Sequence, residues 1–217
     1  MKNTFVRFLL FATLSIMFFS CTKEDNGTDN PKEELKEVED VCTQMNDINF
    51  MSFCYTNFDV NKDGKVSMIE ANAVYKMDVS RKNIQSLTGI EYFTNLTELD
   101  CSSNDLTSLD ITKCVNLKEL YCFSNDLTSL DVTKCANLKV FNCSFNKLTS
   151  LDVSMCANLT ELDCSYNELT SLDVSMCANL TELDCNYNPL TIIYMHTKHK
   201  NINCSYPKGV NIEYLDL

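Results

Sequence analysis

The chain has no tryptophan, only 4 glycines, 3 prolines and 2 histidines in 217 residues, and fewer basic side chains (18) than acidic ones (30). Each shortage excludes something. With so few glycines and prolines, the turns must be made by Asn, Asp, Ser and Thr, whose short polar side chains hydrogen-bond to their own backbone. The two histidines, His196 and His199, have no third metal-binding neighbour and read as part of a solvated loop near the end of the chain. A formal net charge of −12 with no basic stripe excludes the footprint of a nucleic-acid binder. Neither a nucleophile elbow nor a phosphate-cradling glycine loop occurs, so no enzyme activity is expected.

One apolar run is present, Phe8 to Phe19 behind Lys2 and Arg7. It is too short to span a bilayer and has the layout of an export signal. It ends in Phe18-Phe19-Ser20-Cys21, which resembles the lipobox of bacterial lipoproteins, with Phe18 where leucine is usual. The resemblance implies cleavage before Cys21 and acylation of Cys21, giving a signal peptide at 1–20. The polar stretch that follows lacks the apolar residues needed to fold, and residues 21–46 are expected to form an acidic, flexible tether. Lys23-Glu24-Asp25 looks like the signal that sends some Gram-negative lipoproteins to the outer face of the outer membrane. The expectation is an exported protein on the bacterial outer membrane, at the cell surface, meeting the membrane by its lipid anchor only.

Asp59 to Glu70 reads DVNKDGKVSMIE and fits the EF-hand calcium loop. Calcium takes hard oxygen ligands. Asp59, Asn61 and Asp63 offer side-chain oxygens, Lys65 its carbonyl, Ser67 a place for a water, and Glu70 a closing bidentate carboxylate. Gly64 makes the sharp turn. The flanks read as helices, with Ile48, Met51, Tyr55 and Phe58 on one face before the loop and Met68 to Met77 after it. No second loop follows, so a paired calcium switch is not expected. Residues 47–76 are read as an EF-hand-like cap holding one structural Ca2+, a lid on whatever stacks behind it.

What stacks behind it is a repeat. Leu96, Leu117, Leu138, Leu159 and Leu180 each open a nearly identical stretch of 21 residues, such as LTELDCSYNELTSLDVSMCAN from Leu159. A fixed period of this length means stacked coils rather than a globule around one pocket. The pattern LxxLxCxxNxLxxLDVxxC resembles the leucine-rich repeat, in a nested 21-residue bacterial form. The resemblance covers residues 77–206 and implies a solenoid, mainly β, with short parallel strands on a concave face and extended or 3-10 segments on the convex one. Residues 207–217 are read as a C-terminal cap. Asn104, Asn125, Asn146, Asn167 and Asn188 recur where the chain leaves each strand, and an amide can satisfy turn groups that would otherwise be buried unpaired. Asp110, Asp131, Asp152 and Asp173 form a second ladder, read as turn caps with the Thr or Ser two residues on; bridging calcium ions are the alternative.

There are 13 cysteines. Cys101, Cys122, Cys143, Cys164 and Cys185 step by 21, with Cys204 following as a sixth member; Cys114, Cys135, Cys156 and Cys177 form another row. Each ladder sits where the repeat wants a small apolar residue, so buried free thiols are favoured over a disulfide scaffold. Cys42 and Cys54 lie outside the ladders and are the best disulfide candidates. Function is expected on the concave face: acidic Glu98, Asp100, Glu119, Asp163 and Asp184, with Tyr121 and Phe123, beside an aromatic column of Phe145, Tyr166, Tyr187 and Tyr206. Aromatics beside polar groups suit recognition. The expected partner is a protein, with glycan capture or a purely structural spacer as alternatives.

Overall fold

The computed structural model describes residues 39–216. The export signal, Cys21, Lys23–Asp25 and the tether up to residue 38 lie outside the described residues. Among the described residues, no helix is long and apolar enough to cross a membrane.

The body is a stack of parallel coils. Strands β1 (Lys76–Asp78), β2 (Glu98–Asp100), β3 (Glu119–Tyr121), β4 (Val140–Asn142), β5 (Glu161–Asp163), β7 (Glu182–Asp184) and β9 (Asn203–Ser205) form one parallel sheet of seven. Their central residues pair in one interior row: Met77, Leu99, Leu120, Phe141, Leu162, Leu183 and Cys204. A slip of one residue would turn every leucine to solvent, so burial of this row pins the register. On the second side of the coil, β6 (Ser171–Asp173), β8 (Ile192–His196) and β10 (Asn211–Leu215) form a parallel sheet of three. Earlier coils cross that side without α-helix, with a 3-10 turn at Ile90–Tyr92, in keeping with the extended or 3-10 segments expected there; β-branched Val132 and Val153 disfavour a helix.

The repeat's polar residues hold the coils together. Asn146 accepts from the Leu127 N–H at 3.0 Å and donates to the carbonyls of Cys122 (3.0 Å) and Cys143 (3.1 Å), so one amide ties two coils. Asn125, Asn167 and Asn188 repeat this set. A second asparagine ladder was not foreseen. Asn116, Asn137, Asn158 and Asn179 each donate to a carbonyl 22 residues earlier in the chain, although their recurrence at 21-residue steps was visible. No buried side-chain nitrogen or oxygen lacks a partner among the described residues. The aspartate ladder caps turns: Asp110 accepts from the backbone N–H and hydroxyl of Thr112 at 3.0 and 2.7 Å, and Asp131 does the same with Thr133. These bonds hold the Asp110 and Asp131 carboxyls below the usual carboxylate range.

Register corrects the reading of the last coil. Cys204 pairs with Leu183, so it continues the leucine row and not the cysteine ladder. Tyr206 then falls opposite the Cys185 position rather than in the aromatic column. The 21-residue step is kept; the cysteine has moved within it. Residues 207–217 are also more than a cap, since β10 extends the three-stranded sheet beside β8. The histidines are not in a solvated loop. His199 is 2 % exposed; its Nδ1 accepts from the His196 N–H at 3.1 Å and its Nε2 reaches the Cys177 carbonyl at 3.0 Å. With Nδ1 accepting, Nε2 carries the proton and donates. Burial pushes the His199 pKa below its ordinary 6.5.

The N-terminal end is closed by helices α1 (Ile48–Phe58) and α2 (Met68–Asn72). Asp47 caps α1 through its Oδ1, which accepts from Asn49 and Phe50, while its Oδ2 accepts from Gln85 of the first coil at 2.7 Å. The buried face of α1 is Phe50 and Cys54, with Met51, Phe53, Tyr55 and Phe58 half-buried; Ile48 is 67 % exposed. The expected apolar face is therefore rotated, with Phe58 packed edge-on to Phe53 and at a tilt to Phe93 of the first coil. The second helix ends at Asn72, short of Met77, which the sheet takes into β1. Packing also begins earlier than the expected limit of the tether at 46, since Val41 and Cys42 are fully buried in a 3-10 turn, Val41–Gln44. Met45 lies against Gly89, whose φ of 103° needs glycine; a Cβ there would stand 2.6 Å from the Met45 Cγ.

Candidate functional site

Three surfaces are built by this frame. The first is the outward side of the seven-stranded sheet. Parallel register stacks Glu98 on Glu119, Val140, Glu161, Glu182 and Asn203, and Asp100 on Tyr121, Asn142, Asp163, Asp184 and Ser205. Most of the expected residues are thus brought together. The two columns differ in chemistry. The aspartates are engaged by their own turns: Asp100 and Asp163 accept from the backbone and hydroxyl of Ser102 and Ser165 at 2.6–3.0 Å, and Asp184 from the Asn186 N–H at 3.0 Å. The glutamates are engaged more lightly: Glu98 is ion-paired with Lys76, Asn203 donates to Glu182 at 3.3 Å, and Glu161 has no side-chain partner among the described residues. Tyr121 donates to Glu119 at 3.2 Å. A trough of about 310 Å³ runs here between Tyr121, Asn142, Glu161, Asp163, Glu182 and Asp184.

The second surface is the edge where each strand turns. Phe145, Tyr166 and Tyr187 are 51, 40 and 66 % exposed, and their rings stack at 4.1 and 4.0 Å with planes within 15° of parallel. All three sit in the left-handed region at φ 53–56°, a row begun by Arg81, Ser103 and Ser124. Bulky residues there carry strain of about 1–3 kcal/mol each. Sequence reasoning found the column but not this strain, because serine and tyrosine hold the same place in the repeat. Phe123 is half-buried in the turn and forms no ring pair with the stack.

The third is the loop after α1. Lys62 and Gly64 take positive φ, 60° and 84°. Asp59 accepts from Asp63 and Gly64 at 3.2 and 3.0 Å, Asn61 from Asp63 at 2.9 Å, and Asp63 from Lys65 at 2.9 Å. Glu70 accepts from the N–H groups of Val60, Asn61 and Ser67 and the Ser67 hydroxyl, which hold its carboxyl below the usual range. Val66, the loop's inward residue, is bonded on both sides: its N–H to Asp40 Oδ1 at 3.1 Å and its carbonyl by the Val41 N–H at 2.9 Å. Asp40 and Val41 thus satisfy the middle of the loop without a second loop. The donors are hard oxygens, suited to calcium; among the described residues, no three His, Cys, Asp or Glu side chains are gathered into a metal cluster.

A groove of about 560 Å³ on the second side of the coils is larger than the trough, lined by Ser108, Asp110, Ser129, Asp131, Ser150 and Asp152. Its aspartates are occupied in turn caps, so the seven-stranded face carries the freer chemistry.

The family profile described as "Endo-beta-N-acetylglucosaminidase EndoS LRR domain" matches residues 68–167, and "Leucine Rich repeats (2 copies)" matches residues 157–195. The coils are leucine-rich repeats. No curated protein matches the sequence. Among solved leucine-rich-repeat structures, an internalin (inlF) from Listeria monocytogenes has a TM-score of 0.62 at 18 % identity, covering 83 % of this chain and 58 % of its own. A leucine-rich-repeat protein of Leptospira interrogans gives 0.55 at 24 %, covering 58 % and 34 %. The ectodomain of the plant receptor kinase GASSHO1/SCHENGEN3 from Arabidopsis thaliana, in complex with Casparian strip integrity factor 2, gives 0.52 at 22 %, covering 63 % and 18 %. At these identities the likeness is one of fold. The chain spans less than two-thirds of the length of each of these neighbours.

Proposed function

We propose that the protein is a non-catalytic recognition module of the cell envelope, held to the outer membrane through Cys21, that binds another protein across the seven-stranded face. The observation that carries this is the column of Glu119, Glu161 and Glu182 beside Tyr121, in which Glu161 has no side-chain partner among the described residues and Glu119 and Glu182 have one each, on a face where the neighbouring aspartates are occupied by their own turns. Leucine-rich repeats are typical protein–protein interaction modules, and solenoids offer such extended surfaces for binding. Charge complementarity favours a partner segment rich in Lys and Arg. The stacked rings of Phe145, Tyr166 and Tyr187 favour protein over glycan: both faces of Tyr166 are covered by its neighbours, so the middle of the column offers ring edges rather than flat platforms for a sugar.

Calcium belongs to the same proposal as a structural ion. Asp59, Asn61, Asp63, Glu70, the Lys65 carbonyl and a water at Ser67 would hold it, and the loop's two positive-φ turns support that reading. The test of the function is charge reversal. Replacing Glu119, Glu161 and Glu182 together by Lys abolishes capture of the partner from the cell surface and removes its salt dependence; unchanged capture would overturn the assignment. Protein and glycan arrays probed with the Tyr166→Ala, Tyr187→Ala double variant separate the two ligand classes.

A further inference from the structure

Twelve cysteines are described, and all are free thiols in the structure. Ten of them are accounted for by the repeat. In the inner ladder, Cys114 aims its Sγ at the Ile90 carbonyl, Cys135 at that of Cys114, Cys156 at those of Val132 and Cys135, and Cys177 at that of Val153, all at 3.5–3.9 Å. Side chains in such ladders point in parallel from coils stacked about 4.8 Å apart, an arrangement poorly suited to the near-perpendicular torsion of a disulfide. They serve as small apolar fillers.

Cys42 and Cys54 are different. They come from two elements, the 3-10 turn Val41–Gln44 and the second half of α1, and both are completely buried. The Cys42 thiol disfavours ionisation of the Cys54 thiol, and with burial this pushes the Cys54 pKa up. The two elements are already tied beside them, where Tyr55 donates to Asp40 Oδ2 at 2.7 Å and the Cys42 N–H to Asp40 Oδ1 at 3.1 Å. Cys54 lies four residues after Phe50 on the buried face of α1, so its side chain is fixed toward the turn. The same turn bonds Val66 at the centre of the acidic loop.

We propose that Cys42 and Cys54 form a disulfide that clips the chain's first packed turn onto α1 and so braces the loop Asp59–Glu70. The oxidant is a small disulfide or a thiol–disulfide oxidoreductase. The two Sγ–H bonds break and one Sγ–Sγ bond forms; two electrons and two protons pass to the oxidant's disulfide, which is reduced to two thiols. The bond closes a short chain loop and needs no movement of the coils. Its occupancy does not depend on what the seven-stranded face binds.

The test uses the purified full-length chain, incubated folded with oxidised glutathione, then denatured, alkylated and digested. The expected product is one peptide pair linked through Cys42 and Cys54, with the ladder cysteines alkylated. The oxidised protein should melt several degrees above the reduced one, and dithiothreitol should reverse this. Cys42→Ser and Cys54→Ser should each lose the linked pair and the redox dependence of melting. Because the mapping is made on the native sequence, poor folding of a variant does not affect it. Two alkylated thiols at Cys42 and Cys54, a pairing of either with a ladder cysteine, or identical melting of the two forms would overturn the proposal.

Discussion

Asn146 shows how much a single residue does in this chain. Its amide supplies the only side-chain acceptor for the buried Leu127 N–H and joins two carbonyls from successive coils. Leaving such groups unpaired costs about 1–3 kcal/mol each. Asn146→Ala is therefore expected to destabilise the protein by about 2–4 kcal/mol in urea denaturation, whereas Asn158→Ala, at an exposed rung of the outer asparagine ladder, should stay within about 1 kcal/mol. Tyr166 sits between two opposed terms. Its left-handed backbone carries about 1–3 kcal/mol of strain, and its two ring contacts return about 0.5–1.5 kcal/mol each. Tyr166→Asn, which tolerates that backbone, is expected to change stability by less than about 1 kcal/mol while weakening partner binding; a loss of several kcal/mol in denaturation would show that the stack is structural. His199 adds a pH dependence. Its depressed pKa means that the folded state resists protonation, so its contribution is complete above 6.5 and is lost as pH falls below that value. Protection of the β8 amides, corrected for the slower intrinsic exchange in acid, should fall on acidification below 6.5, and His199→Gln should flatten the response.

At the scale of elements, the cap and the coils answer to different rules. The Leu, Cys and Asn rows were legible in the sequence because each coil meets a near copy of itself, and identical neighbours leave one register open to them. The cap has no such copy. Its helix face was misread around Ile48 because the partner that decides it, Phe93, lies 35 residues after Phe58 and carries no periodic mark. The histidines were misread for the same reason: Cys177, which holds His199, belongs to another coil. The last coil was misaligned because the cysteine moved within an unchanged 21-residue step, and only strand pairing shows that Cys204 stands in the leucine row. At this scale the calcium proposal is testable. Chelation, or Glu70→Gln, is expected to lower the melting temperature and loosen the contact between α1 and the first coil, seen as faster exchange at Gln85, whose N–H is held by Asp47. A transition that ignores the chelator would remove calcium from the account.

For the molecule as a whole, the acidic residues divide by job. The Asp rows close turns on both sides of each coil, while in the Glu column Glu161 has no side-chain partner among the described residues and Glu119 and Glu182 have one each, which leaves carboxylate oxygens for a visitor. Composition announced an acidic surface; which carboxylates were free was not written in it, because net charge counts Asp and Glu alike and only hydrogen bonding separates their jobs. The central claim is that the partner lies along the seven-stranded face. The most direct measurement places a photo-crosslinking side chain, one at a time, at Tyr121, at Glu161 and at Met155, an exposed residue outside the sheet, in otherwise native chains on living cells. The account predicts one shared adduct from Tyr121 and Glu161 and none from Met155. Equal adducts from all three positions, or an adduct from Met155 alone, would contradict it.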